Sequence, residues 1–313
     1  MIRIGIVGYG NLGRGVERAL ALCDDMTLEC VVSRRDITVE SGVPVISVES
    51  ALARDDIDVM VLCGGSAADL MVQGPQFAAK FNTVDSYDNH GRIPEYFAMM
   101  NAAAKNTVSF ISSGWDPGVF SVMKLLSQSI LPIGETASFW GEGVSQGHGN
   151  AIRSLEGVAD AVQYSLPQAA AINAARQGKA GSLTTRDKHK RDCYVVLQDG
   201  ADAAAIKQQI ITMPNYYADY DTTVTFISQT ELDANHKAMP HGGLVIHEQR
   251  GQTMEFSLKL ASNPDYTASV LVACARATAR LHAEGNRGAV TILEVAPHYY
   301  SPKNITDLRK ELL

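Results

Sequence analysis

The residues in this chain whose types and spacing can do chemistry begin at once. Gly8-Tyr9-Gly10-Asn11-Leu12-Gly13 spells G-x-G-x-x-G. In that pattern Gly8 allows a tight turn, Gly10 leaves room for a pyrophosphate against the backbone, and Gly13 lets a helix pack closely on a strand. The free N–H groups and positive dipole end of a following helix favour phosphate. The context fits: the apolar run Ile2–Val7 precedes the glycines and a helical run to Leu22 follows them. A dinucleotide is the ligand this predicts. Leu28–Val32 reads as a second strand and ends in Ser33-Arg34-Arg35, where an NAD site carries Asp or Glu for the ribose 2′-OH. Two guanidiniums and a hydroxyl suit a 2′-phosphate instead, so NADP is expected over NAD. The competing reading is a pair of solvated arginines on a loop.

Other polar residues are harder to assign. Asp88 and Asp116 each follow a strand-like run. A carboxylate pair there suits a cationic amine, and each also reads as a turn aspartate. Trp140, Gln146, Gly147 and His148 fall in a glycine-rich stretch that either shapes a pocket or merely connects. Arg191 closes the basic run Lys188–Arg191 and could fork onto a carboxylate, although spacing alone favours a solvated basic face. His236, His241 and His247 lack an H-E-x-x-H pattern or a cysteine partner, so no metal site is expected. There is no G-x-S-x-G elbow and no Walker A motif.

These residues need elements to hold them. Val43–Ile46 reads as a third strand, residues 50–54 as a short helix, and Val59–Cys63 as a central parallel strand apolar on both faces. Helices are expected over 73–81 and 94–105, and strands over 83–85 and 107–111. Three strand ends, 63–66, 86–90 and 112–118, carry glycine-rich or polar loops and should line one edge near the nicotinamide. After a helix at 119–130 the rhythm changes. Strands are expected at 136–140, 193–197, 222–227, 243–247 and 254–260, with too few helices between them for more doubly wound sheet. A long helix at 265–283, a strand at 291–295 and a helical ending from Pro302 should pack back on the first part. The expected fold class is therefore α/β: a Rossmann-type doubly wound parallel sheet with a second α+β domain whose sheet is largely antiparallel. The expected division is 1–117, completed by 265–313, and 118–264.

Composition sets outer limits. The 313 residues suffice for two domains and a large core. A content of 46% hydrophobic and 19% charged residues is that of a globular protein. The formal net charge of −7, without a basic tail, argues against a nucleic-acid partner. Five cysteines without a C-x-x-C read as reduced thiols of a cytoplasmic protein. A strand starts at the N-terminus where a signal peptide would need other residues. No apolar run approaches the roughly 20 residues that cross a bilayer, so no membrane partner is expected.

Taken together, GYGNLGR, SRR, CGGSA, YDNH, SGWDPG, FWGEGVSQGH, HKR, MPHGG and NPDYTAS occur in an order that resembles the meso-diaminopimelate D-dehydrogenase family over nearly the whole chain. The resemblance implies NADP-dependent oxidation of the D-centre of meso-2,6-diaminopimelate, releasing L-2-amino-6-oxopimelate and ammonia, with reductive amination as the reverse. It implies a place in lysine and cell-wall precursor synthesis, a homodimer, and a second domain for substrate and dimer contacts. Matched motif by motif, Gly8 to Gly13 would hold the pyrophosphate, chiefly Tyr9 to Leu12, and Ser33, Arg34 and Arg35 the 2′-phosphate. Cys63, Gly64, Gly65, Ser66, Ser86, Tyr87, Asp88, Ser113, Gly114, Trp115, Asp116 and Pro117 would line the rest of the cofactor. Asp88 and Asp116 would face the reacting amine. Trp140, Gln146 and Gly147 would frame the pocket, and Ser165, Arg191, His241 and Asn263 would hold the far, L-configured end. Ser165 departs from the threonine the family is expected to carry, but keeps the hydroxyl. A broader D-amino acid dehydrogenase on the same scaffold, or a non-catalytic NADP-sensing protein, are the alternatives.

Overall fold

The computed structural model describes residues 1–66 and 69–313. The chain forms two compact units, Met1–Val122 with Pro264–Leu313, and Met123–Asn263.

The first unit alternates strands and helices: β1 (Ile2–Val7), α1 (Asn11–Leu20), β2 (Met26–Val32), β3 (Val45–Ile46), α2 (Val48–Leu52), β4 (Val59–Leu62), α3 (Leu70–Ala78), β5 (Asn82–Asp85), α4 (Ile93–Ala103) and β6 (Val108–Phe110). The strands order as β6-β5-β4-β1-β2-β3, with Gly288–Val290 added outside β6, and all pairs are parallel. Strand alternation assigns the two faces. Ile4, Ile6, Val59 and Val61 pack with Val16 and Leu20 of α1 and with Leu271, Val272 and Ala275 of the long helix Asn263–Ala283. Met60 and Leu62 pack on the other face with Leu70 and Phe77 of α3 and Tyr96 and Met100 of α4. Each such buried side chain is worth about 1.5–3 kcal/mol against exposure. The sheet is thus covered on both faces, as an all-parallel sheet must be.

Two expectations fail here. The late strand is Gly288–Val290 rather than 291–295. Thr291 and Glu294 close a turn instead: the Glu294 N–H donates to the Thr291 carbonyl, and the Thr291 N–H to the Glu294 carboxylate. The C-terminal helix starts at Ile305, after Asn304 accepts from the Asp307 N–H as its cap.

The second unit holds β7 (Glu135–Trp140), β8 (Gly143–Val144), β9 (Val158–Pro167), β10 (His189–Leu197), β11 (Asp221–Phe226), β12 (His241–Gln249) and β13 (Gln252–Leu260). The expected sheet is in fact two, β11-β10-β9-β8 and β13-β12-β7, and the β10–β11 pair is parallel. The glycine-rich stretch is not a loop. It supplies β8, and then α5 (Val119–Ile130) has its successor in α6 (Gln146–Arg153). β9, which the sequence reading missed, pairs antiparallel with β10 from His189↔Pro167 through Arg191↔Ser165 to Leu197↔Val158. Its inner face carries Gln163 and Ser165, so the apolar alternation that marks a strand is broken where the strand matters most.

Candidate functional site

In the first unit the glycine turn has the geometry its spacing implies. Gly8 sits at φ +90°, and its N–H donates to the Val32 carbonyl, tying β1 to the end of β2. A Cβ on Gly13 would lie 2.2 Å from the Gly8 carbonyl oxygen, so only glycine lets α1 start this close to the strand. A Cβ on Gly10 would meet nothing within 4 Å, which leaves that side open. Gly10 precedes α1 with no side-chain cap, and the first turn has no acidic residue. The first turn of α1 thus carries no acidic side chain to oppose the positive end of the helix. These features fit a dinucleotide pyrophosphate. Tyr9 contributes main chain only: its ring is buried, its hydroxyl donates to Glu17, and it accepts from the Glu40 N–H.

At the end of β2, the Ser33 hydroxyl donates to the Arg35 carbonyl and accepts from the Arg35 N–H. That bend turns Arg34 and Arg35 outward, and both are exposed. The Arg34 guanidinium reaches Asp69 at 3.1 Å, and the same carboxylate accepts from the Gly65 N–H. Asp69 thereby links the arginine bend to the Gly64-Gly65 turn, a link sequence spacing gave no sign of. Being exposed, the pair is worth at most about 1 kcal/mol and can yield to a phosphate. Ala67 of the CGGSA motif lies outside the described residues.

The two loops carrying Asp88 and Asp116 share a buried anchor that the sequence reading passed over as strand. Asp85, fully buried at the end of β5, accepts from the N–H groups of Tyr87 and Ser112 and from the Tyr96 hydroxyl. Burial pushes its carboxyl up to about 6, against the pull of those three donors. The Ser113 N–H adds a bond to the Asp85 carbonyl. Tyr87 is stacked on Tyr96 in the core, so it too offers a cofactor only its backbone. Asp88 is exposed, and its N–H donates to the Ser66 hydroxyl at 3.1 Å, joining the strand ends of β4 and β5. The loop at 112–118 closes through mutual bonds of Gly114 with Pro117 and Val119, which holds Asp116 at its tip, half-buried.

In the second unit the basic run is not a solvated face. Arg191 is only 3% exposed because the β9–β10 register points it inward opposite Ser165. Its Nη1 donates to the Ser165 hydroxyl, and its guanidinium lies 4.1 Å from the centre of the Tyr220 ring. Gln163 Nε2 approaches the same hydroxyl at 3.5 Å. Ser165 thus accepts from two donors, and its own proton is left to point at a third group. The Arg191 Nε–H has no acceptor among the described residues. A buried guanidinium with an open donor has the chemistry to take a carboxylate.

Several other predicted residues of this unit contact one another or its strands. Gly143 of β8 pairs with Ser165, and a Cβ there would run into His241, so β8 and the start of β12 touch. Gln146, at the start of α6, reaches the Met239 thioether, and the Asn263 N–H donates to the Met239 carbonyl. Burial lowers the His241 pKa, and it lowers His148 to about 4. Trp140 is set by a residue the sequence reading left unassigned. The fully buried His189 accepts from the Trp140 N–H at 2.8 Å, and its ring stacks on the indole at 5.1 Å. Burial lowers His189 to about 3, so it serves as a neutral acceptor. Of the histidines considered for a metal, His247 bonds Thr136 and Leu131, and His236 bonds Tyr164 and stacks on Tyr194.

Residues 114–262 match the diaminopimelic acid dehydrogenase C-terminal domain. The meso-diaminopimelate D-dehydrogenase of Ureibacillus thermosphaericus is 54% identical over 323 aligned positions, covering 100% of this chain and 99% of that protein. The diaminopimelate dehydrogenase of Corynebacterium glutamicum, solved in complex with diaminopimelate, superposes with a TM-score of 0.95 at 45% identity, covering 100% of this chain and 99% of that one. An engineered D-amino acid dehydrogenase bound to NADP+ gives a TM-score of 0.91 at 44% identity, with coverage of 100% and 99%. A parallel sheet with a glycine turn made for a dinucleotide, a buried arginine open to a carboxylate, and relatives at this identity over the full length lead to one assignment: this chain belongs to the meso-diaminopimelate D-dehydrogenase family of oxidoreductases.

Proposed function

We propose that this protein uses NADP to oxidise the D-centre of meso-2,6-diaminopimelate reversibly to L-2-amino-6-oxopimelate and ammonia. The observation that carries this reading is Arg191, a buried guanidinium with an open donor beside a hydroxyl with a free proton. A buried charge without a partner is costly, so such a site calls for a second, remote carboxylate on the substrate. The named substrate has one at its L-configured end.

In this reading the glycine turn and the N-terminus of α1 hold the pyrophosphate, and Ser33, Arg34 and Arg35 hold the 2′-phosphate. The strand-end residues of 63–66, 86–88 and 113–117 line the remainder. When bound, the nicotinamide accepts a hydride at C4. The protein must bring the D-centre Cα–H within about 3–3.5 Å of that carbon. Ser165, Arg191, His241 and Asn263 fix the L end, while Trp140, Gln146 and Gly147 frame the chain between. Asp88 and Asp116 receive the reacting ammonium, and one of them or an ordered water takes its proton. Reversing the configuration turns the hydrogen away, so choice of D over L is geometric. The five free thiols suit a reducing cytoplasm, a homodimer is the assembly proposed, and the biosynthesis of lysine and cell-wall precursors is the setting.

A second reading, a broader D-amino acid dehydrogenase, is favoured by one observation: an engineered protein with that activity in its name shares 44% identity and the same fold. Reduction of NADP with meso-diaminopimelate, run beside simple D-amino acids and with NAD in place of NADP, separates the two. Turnover of the meso substrate with NADP supports the proposal, and equal turnover of simple D-amino acids supports the second reading. Asp116→Asn should lower kcat/KM at least about tenfold, and unchanged kinetics would remove Asp116 from the chemistry.

A further inference from the structure

Arg191 Nε is not the only unmet group in the inner row of β9 and β10. Gln163 is 0% exposed, and its Oε1 has no hydrogen-bond partner among the described residues. The antiparallel register places Gln163 opposite Cys193 and Ser165 opposite Arg191, all on the inner face. Gln163 and Arg191 therefore sit diagonally across the strand pair, and both reach the Ser165 hydroxyl, Gln163 from 3.5 Å. One buried acceptor and one buried donor are thus left open within a side chain's reach of each other. An unmet buried group is costly, so the pair is a poor way to build a core. It is a good way to receive a molecule that carries a donor and an acceptor on neighbouring atoms. An α-amino acid centre is such a group: its carboxylate accepts, and its ammonium, one carbon away, donates.

We propose that Gln163 is a specificity-determining residue whose amide oxygen accepts the ammonium of the substrate's distal, L-configured centre, while Arg191 and Ser165 take the carboxylate of that same centre. This rests on the function proposed above. A neutral amide suits the role. A carboxylate at this position would pair with Arg191 and close the guanidinium to substrate. A neutral acceptor takes the ammonium and leaves the clamp charged. Recognition by hydrogen bonds to a buried polar group is also the strongest way to reject a substrate that lacks the matching atom.

The test compares meso-diaminopimelate with D-2-aminopimelate, which keeps the distal carboxylate and lacks the distal ammonium. Gln163→Met preserves length and volume, and Gln163→Leu is the second variant should the first fold poorly. The expected result is a fall of at least tenfold in kcat/KM for meso-diaminopimelate, carried by KM. For D-2-aminopimelate and for NADP the constants should stay within twofold. Equal losses on both amino acids would reduce Gln163 to a structural role and overturn the inference, as would no loss on either. A wild-type enzyme that turns over the meso substrate no better than D-2-aminopimelate would also overturn it while leaving the dehydrogenase reading intact. A wild-type enzyme that turns over neither would strike the proposed function itself.

Discussion

The two regions proposed to face ligands are built from opposite materials. In the first unit the cradle is backbone: a glycine at φ +90°, a helix start with no side-chain cap, and a bend that turns two arginines out to solvent. Where side chains such as Tyr9 and Tyr87 fall in this region, they point into the core. In the second unit the proposed site is side chain: Gln163, Ser165, His189 and Arg191 on two paired strands, all buried, with three of their polar atoms unmet among the described residues. A backbone cradle binds what many proteins bind, a pyrophosphate. A buried row of open donors and acceptors binds one pattern of charges. Apart from Asp88 and Asp116, to which the proposal gives both ligands, substitutions in one region should leave the other's ligand unaffected.

The largest effect expected is at the buried cation. Arg191→Met should lower kcat/KM for meso-diaminopimelate by about 100-fold or more, since losing one partner of a desolvated charged contact costs 2–5 kcal/mol or above. NADPH affinity, read by fluorescence titration, should not move. A parallel loss of NADPH binding would break the separation. The converse is Gly13→Ala, whose Cβ would meet the Gly8 carbonyl. Relief of that overlap costs about 1–3 kcal/mol, so NADPH affinity should fall about 5- to 150-fold with the amino-acid KM little changed. Smaller again is the exposed pair. Replacing Arg34 and Arg35 together by alanine should reduce the preference for NADP over NAD about tenfold, as a ratio of kcat/KM values. An unchanged ratio would return both arginines to the solvated loop that spacing alone allows.

How much of this was legible in the sequence follows from the same contrast. The glycine turn, Ser33-Arg34-Arg35 and the strand ends are local patterns, and the parallel βαβ rhythm around them is written in short apolar runs. The substrate row depends on register between strands some 25 residues apart, such as Ser165 opposite Arg191. Arg191 looked like a solvated basic residue because Lys188 and Lys190 flank it, yet alternation sends only residues 189 and 191 inward. His189 hid in the same run. β9 went unseen since its inner face is polar at Gln163 and Ser165. Asp85 read as a strand residue, and its role as the anchor of both aspartate loops needs β6 brought alongside β5.

The smallest effect sharpens the contrast through pH. Burial holds His148 at about 4 and His189 at about 3, below the ordinary 6.5. Unfolded, both take up protons below pH 6.5, and folded they do so only near 4 and 3. Their contribution to stability is therefore whole above pH 6.5 and is lost progressively as pH falls toward those values. Urea midpoints should drop between pH 6.5 and 4, and His189→Gln should flatten that slope. Asp85 runs the other way: with its carboxyl raised from 3.8 to about 6, it favours the folded state below pH 4 and loses that advantage as pH rises through 6. Asp85→Asn should remove this opposing trend, and an unchanged profile would mean the carboxyl titrates normally.

The most direct measurement follows the transferred hydrogen. meso-Diaminopimelate deuterated at the D-centre Cα alone, incubated with the enzyme and NADP, should place deuterium on the reduced nicotinamide, while label at the L-centre stays on the amino acid. Deuterium arriving from the L-centre, or from neither, would contradict the proposal that the D-centre reacts while the L end is held.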